Sequence, residues 1–300
     1  MKAVQFQEYG GPDVLHVAEV PEPHAGPGQI RVAVRAAGVN RFDAKVRSGA
    51  MSAMMPIALP RIPGLEVAGV VDEVGEGVAG VAVGDEVFGP AVAAGCAEYA
   101  LLTHFAAKPA AMSWAEAGGL PVAVETAVRG LDLLGVANGD TVLINGAAGG
   151  VGAAATQLAV ARGASVIGTA SEGNHDYLRS LGATPVTYGE GLAARVRQIA
   201  SGGVDVAFDT AGQGALPDLI DVTGSAGKVI TIADYDAARH GVAFTGTTSA
   251  YHAYGLAAKL YEEGRFRLPV AKTFPLDAAA QAHRLSEGGH VRGKLVIVLG

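Results

Sequence analysis

The feature that most constrains the fold is an uncharged stretch in the middle of the chain, from Thr141 to Ala161. It is long enough to cross a membrane, but it contains several glycines and polar residues. Its three parts are TVLIN, then GAAGG, then VGAAATQLAVA. Apolar runs of these lengths on either side of a glycine cluster predict a buried strand, a tight turn and a buried helix.

The turn itself, residues 146–152, predicts a dinucleotide site. The backbone has to turn sharply and pass close to a pyrophosphate, whose charge is favoured by free N–H groups at a helix start. Gly149 is placed for that close approach and Gly152 for helix–strand packing, whereas Ala147 holds the tight-turn position usually taken by glycine. A plain glycine-rich turn is the alternative, but the flanking strand and helix favour a dinucleotide. The predicted pyrophosphate contacts are Ala148, Gly149, Gly150 and Val151.

The pattern along the chain predicts two domains. Short β-branched runs punctuated by Gly and Pro fill the first 115 or so residues and predict a β-rich barrel or sandwich. Strand-like and helix-like segments then alternate, which is typical of a doubly wound parallel sheet. From about residue 264 the chain returns to complete the first domain. We therefore expect residues 1–118 and 264–300 to form one domain and residues 119–263 the nucleotide-binding domain.

Composition excludes several classes of function. Half of the residues are hydrophobic and 17% are charged, which predicts a globular protein. The net charge of −7 argues against nucleic acid as a partner, and so against an RNA-binding module. The single cysteine, Cys96, excludes an internal disulfide and a thiolate-rich zinc site. The first residues lack the apolar core of a signal peptide, so we expect no membrane partner and a reducing cytoplasm.

The choice of dinucleotide depends on the end of the next strand, SVIGTA. An NAD enzyme usually has an acidic residue there for the ribose hydroxyls, but this strand ends at Thr169. Three side chains that follow could hydrogen-bond a 2′-phosphate: Ser171, Asn174 and His175. Tyr188, after the third strand, could cover the adenine ribose. Although Glu172 would repel a phosphate if it pointed inward, and a solvated loop is the alternative, the pattern favours NADP(H).

Three sequence landmarks together resemble the medium-chain dehydrogenase/reductase superfamily, and within it the zinc-independent quinone oxidoreductase (zeta-crystallin) branch. They are GVNRFDAKVRSG, IPGLEVAGVVDEVG and GDTVLINGAAGGVGAAATQ. The last usually continues to a basic residue or Ser where this chain has Val160. The resemblance covers nearly the whole chain and implies an α/β fold with a GroES-like β-rich barrel domain and a Rossmann domain.

The resemblance also implies that no catalytic metal is bound. The zinc relatives carry a Cys where this chain has Asn40, and a Gly-His-Glu where it has Gly64-Leu65-Glu66. Loss of a thiolate and an imidazole leaves no plausible zinc site. Glu66 is then expected to have a structural role.

What the resemblance implies for chemistry is direct hydride transfer from NADPH to an electron-poor carbon of a quinone or an enone. Residues matching Asn40 and Thr126 lie near the nicotinamide half of the cofactor in relatives. The Asn40 amide could polarise a substrate carbonyl, with an ordinary turn residue as the alternative reading. Lys294 is expected to help bind the cofactor, or else to be a solvated lysine. The residues expected to line the nicotinamide side are Ala211, Ile232, Ala233, Phe244 and Thr245.

The acceptor is expected to be a small apolar quinone or enone. Met-rich residues 47–60 are expected to border its pocket, although core filling is as good a reading for any single Met. The predicted pocket residues are Phe42, Met51, Met55 and Phe88. No acid is identified by sequence; Tyr251 is a weak catalytic candidate beside His252 and Tyr254, and water serves equally well.

Two other functions remain open at this stage. The chain could be an enoyl reductase of a biosynthetic pathway, or a non-catalytic NADPH-binding protein. Relatives are commonly homodimers joined through the Rossmann domain, and VAFTGTTS is expected to be an exposed edge strand that extends the sheet across a two-fold axis.

Overall fold

A computed structural model describes residues 1–92, 94–246, 248–289 and 291–300. Its strands are β1 (Lys2–Gln5), β2 (His16–Glu19), β3 (Ile30–Val39), β4 (Glu66–Val74), β5 (Glu86–Pro90), β6 (Tyr99–Leu102), β7 (Ala106–Ala107), β8 (Thr141–Asn145), β9 (Ser165–Thr169), β10 (Ala183–Val186), β11 (Val206–Asp209), β12 (Val229–Thr231), β13 (Ala243–Phe244), β14 (Val270–Pro275) and β15 (Lys294–Val298). Its helices are α1 (Arg41–Arg47), α2 (Trp114–Gly118), α3 (Pro121–Leu133), α4 (Gly150–Ala161), α5 (His175–Ser180), α6 (Leu192–Ile199), α7 (Leu216–Thr223), α8 (Ala253–Glu262) and α9 (Ala279–Gly288).

The described residues group into two compact units. The first, called here the barrel unit, comprises residues 1–122, 254–262 and 268–300, and the second, the nucleotide unit, comprises residues 123–253 and 263–267. The domain bounds expected from sequence remain a prediction.

The barrel unit is built on a mixed sheet in the order β14-β15-β3-β4-β5-β7, with β6 also paired to β3. The long β3 pairs antiparallel with β4, β6 and β15, so it is the central element of the unit. One face of β3 is buried by Ile30, Val32 and Val34, which belong to an apolar core shared with the flanking strands. Period-two burial of β-branched residues is what holds this strand in register.

The nucleotide unit is built on a parallel sheet in the order β10-β9-β8-β11-β12-β13. Each pairing in this sheet is parallel. Strand β8 is buried over four of its five residues, and helix α4 is buried from Gly152 to Ala159. Helix α4 is rich in alanine, which allows close packing of the helix on the sheet. The α/β fold class predicted from sequence is confirmed.

The uncharged stretch from Thr141 to Ala161 divides into β8, a turn and α4, as predicted. Among the described residues, no helix is long and apolar enough to cross a membrane. The sequence did not predict α1 or α8. Helix α1 has only seven residues, RFDAKVR, and this mixture of charged and apolar positions has no clear period.

Candidate functional site

The glycine loop that follows β8 takes its left-handed residue at Gly146, whose φ is +79°. Ala147 therefore does not need the left-handed conformation, which residues with a side chain disfavour. Its side chain is fully buried. Its methyl group lies where Gly168 of β9 has no side chain, since a Cβ at Gly168 would approach the Cβ of Ala147 to 2.8 Å. An alanine at position 147 is thus accommodated because Gly146 takes the left-handed conformation and Gly168 leaves room for the Ala147 methyl group.

The start of α4 fits a dinucleotide pyrophosphate. A Cβ at Gly152 would clash with the carbonyl oxygen of Gly146, so glycine there allows the helix to pack on the loop. A Cβ at Gly149 would meet only that same oxygen at 3.5 Å, so the space above Gly149 is open. The N–H groups of Gly150 and Val151 lie in the first turn, where a helix offers no internal acceptor. The predicted pyrophosphate contacts therefore share one open helix start.

Beneath this loop, buried polar side chains link the carboxyl ends of four neighbouring strands; we call Thr169, Asn145, Asp209 and Thr231 the strand-end network. Thr169 Oγ1 donates to Asn145 Oδ1 (2.6 Å), and Asn145 Nδ2 donates to Asp209 Oδ1 (2.8 Å). Thr231 Oγ1 donates to the other carboxylate oxygen, Asp209 Oδ2 (2.6 Å). All four side chains are buried. The strand ends are thereby held in fixed register.

The strand-end network also fixes the loops that leave the sheet. Asp209 Oδ1 accepts from the N–H groups of Ala211 (3.1 Å) and Gly212 (2.8 Å). Thr231 Oγ1 accepts from the N–H of Ala233 (3.0 Å), and the N–H of Ile232 donates to the Asp209 carbonyl (3.0 Å). Three predicted nicotinamide contacts, Ala211, Ile232 and Ala233, thus lie together at one edge of the sheet. The sequence signal for the network was a polar residue ending each apolar strand, but it did not reveal the bonds.

The Thr169 hydroxyl makes two hydrogen bonds within the protein, because its Oγ1 donates to Asn145 and also accepts from the Gly146 N–H (2.9 Å). The residues predicted for the 2′-phosphate follow it: Asn174 Nδ2 donates to Ser171 Oγ (3.1 Å), and both are half-buried. The buried Nε2 of His175 has no hydrogen-bond partner among the described residues. Glu172 is exposed, and so is Tyr188. The loop therefore presents hydroxyl, amide and imidazole groups, which suits a phosphate.

Thr126 lies in a polar cluster on α3. Arg129 donates to both carboxylate oxygens of Glu125 (2.9 and 3.1 Å) and to Thr126 Oγ1 (3.4 Å). It also donates to Thr245 Oγ1 (2.7 Å), while Glu125 accepts the N–H of Ala250 (3.0 Å). Sequence reasoning named Thr126 and Thr245 but missed Arg129, which contacts both. The ion pair of Arg129 with Glu125 is local, whereas its hydrogen bond to Thr245 spans 116 residues and has no local signal.

Other predicted residues of the nucleotide unit lie at its surface. Phe244 is exposed on the edge strand β13 and stacks on Tyr235, with ring centroids 5.4 Å apart. Tyr251 is also exposed. His252 is exposed, and its Nε2 lies 3.5 Å from Asp132 Oδ2.

In the barrel unit, Asn40 is the N-cap residue of α1, and its side chain is bound on both ends. Its Nδ2 donates to Glu66 Oε1 (2.8 Å), and its Oδ1 accepts from Lys294 Nζ (2.5 Å). Lys294 Nζ also donates to Glu66 Oε1 (2.8 Å), and the N–H of Val122 donates to Glu66 Oε2 (2.7 Å). Glu66 is fully buried and Lys294 is 6% exposed, so the solvated-lysine reading is wrong. We call Asn40, Glu66 and Lys294 the amide triad.

A second carboxyl group, Asp43, lies beside the amide triad and accepts the backbone N–H of Asn40 (2.8 Å). Burial, with the nearby Glu66 charge adding to it, raises the pKa of Asp43 to about 6. Burial also raises the pKa of the Cys96 thiol well above its usual range, so this thiol is no nucleophile. Glu66 fits here because a Cβ at Gly38 would clash with its carboxylate.

The predicted acceptor-pocket residues have mixed surroundings. Phe88 is fully buried and packs edge-to-face on Tyr254, with centroids 6.3 Å apart. Phe42 and Met51 are half-buried, and Met55 is 36% exposed. Their role in binding an acceptor stays a prediction. Within the described parts of the chain, no group of three or more His, Cys, Asp or Glu side chains could hold a metal ion.

Two family models match this chain. Residues 26–200 match the alcohol dehydrogenase GroES-like domain, and residues 181–297 match a domain described as zinc-binding dehydrogenase. The first match covers more than half of the sequence.

Individual relatives agree with these matches. A spectinabilin polyketide synthase system protein of Streptomyces orinoci is 36% identical over 97% of this chain, which spans 14% of that protein's length. The NADPH-dependent alkenal/one oxidoreductase of Arabidopsis thaliana chloroplasts is 33% identical over 99% of this chain and 79% of its own. The solved structure of the quinone oxidoreductase from Coxiella burnetii superposes with a TM-score of 0.85 at 31% identity, covering 100% of this chain and 99% of its own.

Proposed function

Because this chain belongs to the medium-chain dehydrogenase/reductase family, with relatives named quinone oxidoreductase and alkenal/one oxidoreductase, we propose that it is an NADPH-dependent, zinc-independent reductase. Its acceptors are quinones or electron-poor C=C bonds of α,β-unsaturated carbonyls. The observation that carries this proposal is the open glycine loop between β8 and α4, set on the strand-end network.

The nucleotide unit is suited to hold NADPH. Its first-turn N–H groups at Gly150 and Val151 would hold a pyrophosphate, whose negative charge the helix dipole would favour. Ser171, Asn174 and His175 offer polar groups to a 2′-phosphate, and the His175 Nε2 has a hydrogen-bond partner still to gain. When bound, this cofactor supplies a hydride.

The barrel unit is suited to stabilise the acceptor. As the β-carbon of an enone gains a hydride, negative charge develops on the carbonyl oxygen. One Nδ2–H of Asn40 is used by Glu66, and the other is the donor that stabilises this oxygen. The proton that then reaches the α-carbon comes from water, so that one hydride and one proton together saturate the C=C bond.

A second candidate is an enoyl reductase of a biosynthetic pathway. The match to a segment of a polyketide synthase system protein favours it, since that chemistry also reduces a C=C bond conjugated to a carbonyl. The two proposals share every residue named above and differ in the acceptor alone.

The proposed assembly is a homodimer joined through the nucleotide unit, in a reducing cytoplasm. Supporting this, β13 ends the parallel sheet with both of its residues exposed, and the stacked Phe244 and Tyr235 rings add apolar surface beside it. Sedimentation of the purified protein checks the assembly: a species of twice 30.1 kDa supports it, and a monomer contradicts it.

The proposed activity is tested by following cofactor oxidation with NADPH and NADH in parallel. The acceptors are a small quinone, a 2-alkenal and a cyclic enone. We expect turnover with NADPH at least about 10-fold above NADH, because β9, which leads into the 171–175 loop, ends at Thr169 and not at the acidic residue that favours NAD. A preference for NADH would overturn the reading of that loop. Binding of NADPH without turnover of any acceptor would leave a non-catalytic NADPH-binding protein.

A further inference from the structure

We propose that Lys294 and Glu66 are positioning residues that act through Asn40, fixing its carboxamide in one orientation and strengthening its remaining N–H as a donor. This rests on the proposed reductase function and deepens it. The sequence suggested no such role, since Glu66 was expected to be structural and Lys294 to bind cofactor directly.

The orientation of the Asn40 amide follows from the chemistry of its two partners. Lysine has donors only, so Lys294 Nζ at 2.5 Å identifies the atom it meets as the oxygen Oδ1. An ionised carboxylate has acceptors only, so Glu66 Oε1 at 2.8 Å identifies its neighbour as Nδ2. Rotation of the amide by 180° would place Nδ2 against the Lys294 ammonium, two donors, and Oδ1 against the Glu66 carboxylate, two acceptors. The ion pair between Lys294 and Glu66, at 2.8 Å, closes the triad.

The same contacts polarise the amide. A cation on Oδ1 draws electron density from the nitrogen, which makes both Nδ2–H groups better donors. Glu66 takes one of them, and the other remains. Because Glu66 is fully buried and Lys294 is 6% exposed, little water screens these interactions. Asn40 itself is half-buried, so the amide is held by buried partners and remains accessible.

The backbone of Asn40 is held as firmly as its side chain. Asp43 Oδ2 accepts the Asn40 N–H at 2.8 Å, and the Asn40 carbonyl accepts the N–H of Asp43 at 3.0 Å. Gly38 is required for the arrangement, since any side chain there would displace Glu66. The chain therefore fixes one donor in space before any acceptor binds, which is the preorganisation that lowers a barrier.

The substrate class follows from a single fixed donor. An acceptor needs an oxygen conjugated to the carbon that is reduced, so quinones, alkenals and enones qualify. A C=C bond activated only by an aryl group has no such oxygen and is not reduced.

The test is a cycle in which the charged pair is removed with and without the Asn40 amide. Replacing Lys294 alone would leave Glu66 buried and unpaired and risk unfolding, so Glu66→Gln and Lys294→Met are combined; neutral replacement of both partners commonly preserves stability. The same double change is made in an Asn40→Ala protein. Lys272→Met, an exposed lysine on the neighbouring strand β14, is the matched control. Lys294→Arg tests whether another positively charged donor at this position preserves kcat.

We expect the double change to lower kcat for a cyclic enone about 100-fold when Asn40 is present. The Kd for NADPH and the melting temperature stay near those of the parent. In the Asn40→Ala protein the same change lowers kcat less than about 3-fold, because the pair then has nothing to act on. Lys294→Arg recovers part of the rate, and Lys272→Met leaves it unchanged. Equal losses in both backgrounds would overturn the proposal.

Failure of the proposed reductase function gives a different result. If the parent protein turns over no acceptor, NMR measures the separation of the two side-chain amide proton resonances of Asn40. These resonances are assigned through their loss in Asn40→Ala. One proton bonded to Glu66 and one not should resonate far apart in the parent and close together after the double change. Two closely spaced resonances in the parent would contradict a fixed, polarised amide.

Discussion

The molecule contains two buried polar networks that differ in charge. The strand-end network of the nucleotide unit has one carboxylate, Asp209, surrounded by neutral donors from Asn145, Thr231 and two backbone N–H groups. The amide triad of the barrel unit, with its neighbour Asp43, has two carboxyl groups and one cation, Lys294. The first network is saturated with hydrogen bonds, whereas the second depends on a balance of charges.

The difference in charge between the two networks indicates different roles. The donors around Asp209 are neutral hydroxyl, amide and backbone N–H groups, so the strand-end network is a fixed support for loops proposed to bind cofactor. In the amide triad and its neighbour, burial raises the pKa of Asp43 to about 6, and the Glu66 charge adds to this shift. Such a cluster polarises neighbouring groups such as the Asn40 amide.

The largest expected effect comes from breaking the strand-end network with Asp209→Ala. The change removes the acceptor of three buried donors, those of Asn145, Thr231 and Gly212, and of the half-buried N–H of Ala211. We expect the free energy of unfolding to fall by about 4 kcal/mol, since each unsatisfied buried donor costs about 1–3 kcal/mol and relaxation recovers part. Urea denaturation measures it.

Asp221→Ala is the control for this prediction. Asp221 is exposed and pairs with the exposed Arg197 at 2.6 Å, so its loss is expected to be within about 1 kcal/mol. Similar effects of the two substitutions would mean that the strand-end network is not a fixed support.

The next effect is a pH dependence of stability that Asp43 contributes. Its pKa is about 6 in the folded protein against 3.8 unfolded. Between these values the folded state holds a proton that the unfolded state has lost, so stability falls as pH rises from about 4 to 6. The total is about 3 kcal/mol, at 1.36 kcal/mol per pKa unit. Asp43→Asn is expected to remove this contribution, as measured by urea midpoints across that range.

His283 on α9 contributes the opposite slope. Burial, with the Arg47 cation nearby, lowers the pKa of His283 to about 4 from 6.5. Between these values the unfolded state binds the extra proton, so stability rises with pH by about 3 kcal/mol in total. The parent protein should therefore show a nearly flat profile from these two groups. In His283→Gln, stability should fall as pH rises, because only the Asp43 contribution remains. In Asp43→Asn, stability should rise with pH, because only the His283 contribution remains. Identical pH profiles of the two variants would contradict these contributions.

The smallest effect sharpens the comparison within the nucleotide unit. Ala147→Gly restores the usual glycine at the tight turn, but Gly146 already takes the left-handed conformation. The substitution removes a buried methyl and adds chain flexibility, so the free energy of unfolding should fall by about 1 kcal/mol. The Kd for NADPH should stay within about 2-fold, measured by fluorescence titration. Tighter binding by more than that would mean that Ala147 weakens the loop as a phosphate site.

Sequence reasoning named candidate site positions without the interactions that hold them. Asn40, Thr126 and Lys294 were all named from the resemblance, yet none of the hydrogen bonds that these side chains make was predicted. Lys294 meets Glu66 and Asn40 across separations of 228 and 254 residues. No local pattern of a strand such as GKLVIVL shows that its first side chain enters a buried cluster.

The sequence by itself determined the order of strands and helices in the nucleotide unit, its parallel sheet and the glycine loop. These follow from hydrophobic periodicity and from backbone preferences that each act over a few neighbouring residues. Only the tertiary structure decided that Thr169 belongs to a buried network, that Gly146 takes the left-handed turn, and that Lys294 is buried with Asn40 and Glu66. The physical reason is that hydrogen bonding and burial of charge depend on which distant groups meet in space.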